Sequence, residues 1–131
     1  MPYPAIVTDW LAGWNGKQLE LAMRHFAEDA VFSSPSVLAL GGDASGELRG
    51  RAAITSLTSA AFTRFPALRF EMESVIEEDA RIIMLYRKHG VFAAQAGLTV
   101  EIFDVAGGEI VRSTVYWSVE EVAARFRPHE G

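Results

Sequence analysis

At 131 residues the chain has room for a single domain, expected to span 1–131, with one hydrophobic core. Half of its residues are hydrophobic and 22% are charged, an ordinary globular composition, and the absence of cysteine excludes disulfides, thiolate nucleophiles and cysteine-type metal sites. Seventeen acidic residues against twelve basic ones give a net charge of −5, which repels a phosphate backbone and argues against nucleic acid as a partner.

The opening stretch "MPYPAIVTDW" has neither a basic nor a long apolar region, so a cytoplasmic protein with no membrane partner is expected. Ile6, Trp10, Leu11 and Trp14 recur at helical spacing and predict a first helix over 4–14, with Pro4 near its start and Asn15-Gly16 at its end. Leu19, Ala22, Met23 and Phe26 give a second, short helix; Val31-Phe32 then opens a strand that stops at Pro35. Residues 36–50 are rich in glycine and read as a long loop with room for a short strand. Ala53, Ile54, Leu57, Ala61 and Phe65 form the stripe of a third helix that ends at Pro66.

From there the period changes to two. Alternating runs around Phe70–Val75, Ile82–Arg87, Leu98–Val105 and Glu109–Trp117 predict four long strands, the last two joined by a tight hairpin at Gly107-Gly108. Ser118 followed by Glu121 is a capping-box pattern ahead of the stripe Val119, Val122, Ala123 and Phe126, which predicts a short C-terminal helix stopped by Pro128. The plan is α+β: a curved antiparallel sheet with helices on one face.

In this order "WLAGWN", "FAEDAVFSSP", "LRGRAAI" and "FDVAGGEIVRSTVYW" resemble the nuclear transport factor 2-like superfamily, especially its SnoaL-like and ketosteroid isomerase-like branch, over residues 5–117. The resemblance implies a cone-shaped curved antiparallel sheet wrapped by three N-terminal helices, with the short C-terminal helix added. This scaffold hosts isomerases, cyclases, dehydratases, ligand binders and interaction domains. In its ketosteroid isomerases a carboxylate moves the proton, while a tyrosine and a protonated aspartate hold the oxyanion. Those three positions fall here on Ser34, Trp10 and Val100, and the acid that follows the last strand in the cyclases falls on Ser118, so neither mechanism carries over.

The resemblance also suggests which side chains line the hollow: Ile82, Met84 and Tyr86, then Leu98, Val100 and Ile102, then Ser113, Val115 and Trp117, closed by Trp10, Leu57 and Ser34. Such a lining suits a small hydrophobic molecule carrying one or two oxygens, and it places no proton-abstracting group on that face. Tyr86 is the candidate for polarising a carbonyl; His25 and Asp104 are further catalytic candidates. Glu71, Glu73 and Glu101 share parity with Arg87 and Arg112 on the opposite face. That face also carries Ile83, Leu85, Phe103 and Tyr116, and a homodimer is expected across it. The histidines lack ligand spacing, so no metal and no cofactor is expected. Three readings stand: first a binding domain for a small hydrophobic ligand, second a cofactor-free isomerase, cyclase or dehydratase acting on a small cyclic or polyketide-like substrate, third a dimeric interaction domain with a filled core.

Overall fold

The computed structural model describes residues 3–35, 37, 45–91 and 97–117. Helix α1 runs from Ala5–Gly16, starting behind Pro4, whose carbonyl accepts the first free amides, those of Val7 and Thr8. It stops because Lys17 turns into the left-handed region at φ 54°. Asn15 and Gly16, expected beyond its end, lie in its last turn. Helix α2 is shorter than its apolar stripe suggests, Leu19–Met23, because Phe26 already belongs to strand β1, Phe26–Ser33. A register shift between Phe26 and Val31 lets the acidic pair Glu28-Asp29 point to solvent inside that strand.

Strand β2, Glu47–Arg49, folds back on β1, and Gly50 at φ 94° releases the chain into helix α3, Arg51–Arg64. Then come β3, Arg69–Glu78, β4, Arg81–His89, β5, Gly97–Ala106, and β6, Glu109–Trp117. Gly107 and Gly108, at φ 59° and 79°, make the two-residue turn between the last two strands.

The six strands among the described residues lie in the order β2-β1-β6-β5-β4-β3. Two expectations are corrected here. The sheet is not purely antiparallel and not a closed cone: β1 runs parallel to β6, and the sheet stays open with β2 and β3 as its edges. The helices are not all N-terminal, since α3 follows β1 and β2. A parallel neighbour needs a long crossover, which the segment containing α3 supplies, and alternation within one strand does not report its neighbour's direction. The C-terminal helix expected over 118–126 lies outside the described residues.

The helices cover one face of the sheet. Between them lies an aromatic core centred on Trp10, whose ring sits 5.3 Å from Phe70, 5.4 Å from Tyr86 and 5.6 Å from Phe103, centroid to centroid. Val7, Met23, Phe26, Ile54, Met84 and Ile110 complete it. No helix among the described residues is long and apolar enough to cross a membrane.

Candidate functional site

Under α1 and α3 the core opens into a cavity of about 80 Å³. Its walls are apolar: Trp10, Trp14 and Phe70 on one side, Ile54, Leu57 and Phe65 from the α3 side, Phe26, Phe32 and Val115 from the sheet. Besides the two indoles, the polar lining consists of Ser34, Thr58, Tyr86, Lys88 and Glu101.

Glu101 is the feature that matters chemically. It is 4% exposed, and both of its oxygens accept short hydrogen bonds, Oε1 from the Tyr86 hydroxyl at 2.7 Å and Oε2 from Ser113 Oγ at 2.7 Å. Burial pushes its carboxyl above the ordinary glutamate value; the bonds from Ser113 and Tyr86 and the charge of Lys88 pull it part of the way back. Each oxygen keeps a lone pair beyond these bonds, so the group can hold or release a proton toward the cavity.

Two expectations about β5 are therefore reversed. Val100, with Leu98 and Ile102, was expected to face inward; these side chains lie on the outer face, paired with Leu85, Arg87 and Ile83. Glu101 and Phe103, expected outside, face in. The reason is a bulge. Counting the β5–β6 ladder straight from the Gly107-Gly108 turn puts Ser113 opposite Ile102, but one extra residue on β6, Val111, moves Ser113 opposite Phe103 and Val115 opposite Glu101. The expectation that no proton-abstracting group faces the hollow falls with that register. The acid sought at Val100 stands one residue further on.

The other sequence candidates divide. Trp10, Ser34, Leu57, Tyr86 and Val115 line the cavity. Ile82, Met84 and Ser113 are buried on the same face, the first two in the core and Ser113 bonded to Glu101. Nothing is described of the Trp117 side chain. His25 lies elsewhere, its Nε2 2.7 Å from Asp9 Oδ2, and Asp104 is occupied by Arg81 at 2.9 Å. Glu71 and Glu73 do face outward, paired with His89 at 2.9 Å and Arg87 at 2.8 Å. Sequence reasoning missed Lys88, which follows Tyr86 by two and so shares its face; parity alone would have found it. Among the described residues no group of three or more potential ligands could hold a metal ion.

The described residues thus form an open α+β sheet with helices on one face and a small apolar cavity between them. The SnoaL-like domain matches residues 7–113, and the chain belongs to that family. No curated protein matches the sequence significantly. Among solved structures the chain is similar to a SnoaL-like protein of unknown function from Burkholderia thailandensis, at 23% identity and TM-score 0.74, over 90% of this chain and 99% of that one. It is similar to a hypothetical protein with a ketosteroid isomerase-like fold from Catenulispora acidiphila, in complex with trimethylamine, at 20% identity and TM-score 0.73, over 95% and 93%. A third is a putative polyketide cyclase from Sinorhizobium meliloti, at 18% identity and TM-score 0.72, over 87% and 95%.

Proposed function

We propose that the cavity binds a small, mostly apolar molecule bearing one carbonyl or hydroxyl oxygen, and that Glu101 moves a proton on it without a cofactor. The observation that carries this is the buried carboxyl at the cavity wall, held by two hydroxyl donors and with its proton affinity raised by burial. An acid tuned upward is a better base near neutral pH and a better donor in its protonated form. Tyr86 shares the wall; its hydroxyl donates to Glu101 Oε1, and once Glu101 has taken a proton that hydroxyl can turn to the ligand oxygen on which charge develops.

The volume supports a small ligand. About 80 Å³ is well above the ~10–15 Å³ that one water needs and below the ~150 Å³ of an engineered cavity that takes benzene. Trimethylamine, held by the Catenulispora protein, is in that size class. A family often associated with small-molecule binding and isomerase-type activity is consistent with the reading.

The test is isotope exchange. In heavy water, proton NMR of 2-butanone should show the wild type speeding loss of the protons next to the carbonyl, and Glu101→Gln should lower that rate by about 10²-fold or more. Equal exchange with and without wild-type protein would reject proton transfer; 2-butanone that nevertheless raises the melting temperature would leave binding alone.

We also propose that the outer sheet face is covered by a second copy of the chain. Ile76 and Tyr116 are 48% and 54% exposed there, beside Ile83, Leu85, Val100 and Ile102. The ion pairs Glu73–Arg87, Arg81–Asp104 and Arg112–Glu47 give that face charged surroundings.

A further inference from the structure

The chain has only two lysines among its twelve basic residues, Lys17 and Lys88; every other side-chain cation is an arginine. Lys17 has a structural task. Its Nζ donates to the carbonyls of Trp14 and Leu68 and lies 5.6 Å from the Phe62 ring centroid, closing the end of α1. Lys88 is placed quite differently. It projects from the inner face of β4, is 9% exposed, and lines the same cavity as Tyr86 and Glu101. It stands near enough to Glu101 for its charge to act on that carboxyl.

An amine on a flexible stem in a desolvated apolar pocket is the setting in which lysine acts as a nucleophile toward carbonyl compounds, and an adjacent acid supplies the proton transfers that reaction needs. Arginine does not do this chemistry, because its guanidinium stays protonated. We propose that Lys88 captures small aldehydes and ketones covalently, as an imine inside the cavity. The inference rests on the reading of the cavity as a small-molecule site.

The step balances without any other reactant. The Lys88 ammonium first gives a proton to the Glu101 carboxylate. The Nζ lone pair so freed forms a bond to the carbonyl carbon while the C–O π pair moves to oxygen, and an Nζ proton passes to that oxygen, giving a carbinolamine. Glu101 in its acid form protonates the hydroxyl; the C–O bond breaks, the nitrogen pair forms C=N, and water leaves. The last proton stays on nitrogen. Ammonium and carbonyl become protonated imine and water, and Glu101 ends as the carboxylate it began as.

The full chain is incubated with butanal and sodium borohydride, then measured by intact mass and peptide mapping. The expected result is one adduct per chain, heavier by the aldehyde less one oxygen, mapped to Lys88 ahead of Lys17 and the terminal amine. Lys88→Arg, which keeps the charge, should abolish it, and Glu101→Gln should slow it by about 10²-fold. Because the wild-type map decides by itself, a variant that fails to fold does not rescue the idea: adducts spread over the other amines, or none on Lys88, overturn it. In parallel, 1-butanol, which forms no imine, is titrated against the Trp10 and Trp14 indole N–H resonances. Indole shifts without an adduct on Lys88 overturn the imine and leave the cavity reading intact; no shifts and no adduct overturn both.

Discussion

A carboxyl group taken out of water costs free energy unless hydrogen bonds replace those it gave up, and at Glu101 Tyr86 and Ser113 replace two. They do not restore its ordinary acidity, because burial outweighs them and leaves the folded protein holding the proton more tightly than the unfolded chain. Between the unfolded value near ~4.3 and the raised folded value the unfolded state has released a proton that the folded state keeps, so stability declines as pH rises through that window. The contribution is complete below the unfolded value and gone above the folded one. Glu101→Gln removes this titration. Chemical denaturation at a series of pH values should show the variant gaining on the wild type as pH rises from about 4 to 8; parallel curves would mean that Glu101 titrates normally. The same residue shows what was hidden in the sequence. Val100, Glu101 and Ile102 follow one another, both faces of β5 are partly apolar, and only the bulge at Val111 decides which faces in. Tyr86 was legible because Ile82, Met84 and Tyr86 alternate on an unbulged strand.

Element by element, the cavity depends on how α1 is held. Gly13 lets α1 and α2 touch: a Cβ there would lie 2.2 Å from the Ala22 nitrogen, a contact with backbone that cannot swing away. Gly13→Ala should therefore cost about 3 kcal/mol, well beyond the ~1 kcal/mol alanine gains over glycine in a helix. Gly16→Ala, which meets only the flexible Gln18 side chain, should be near neutral. Urea midpoints of the two variants make the comparison, and equal midpoints would refute the close crossing. Two residues after Gly13, the Asn15 amide imitates a neighbouring strand, donating to the Phe70 carbonyl at 2.9 Å and accepting from its N–H at 2.7 Å. That holds the Phe70 ring 4.9 Å from Trp14 and 4.5 Å from Tyr86, so a helix end sets a cavity wall. Helices α1 and α3 were readable from their apolar spacing. The end of α2 was not, since Phe26 continues the stripe while its backbone has already joined the sheet.

For the molecule as a whole, the class α+β follows from the switch of hydrophobic period after Pro66, and the hairpin strands follow from their turns. The parallel β1–β6 pair and the open edges do not, because pairing partners and direction are set by tertiary contacts that no single segment encodes. The outer face carries the remaining molecular-scale expectation. Light scattering at micromolar concentration should give twice the mass of one chain, and Tyr116→Glu, which places a charge amid Val100 and its neighbours, should shift it toward the monomer. A monomeric wild type would refute pairing across the sheet.

All of the proposed chemistry turns on the protonation of one buried side chain. Carbon-13 NMR of the protein labelled at its glutamate carboxyls, titrated from acid to alkaline pH and assigned through Glu101→Gln, reads that side chain directly. The expected result is a single carboxyl resonance, lost in the variant, that titrates clearly above the other glutamates. A Glu101 resonance that titrates with the exposed ones would contradict the account.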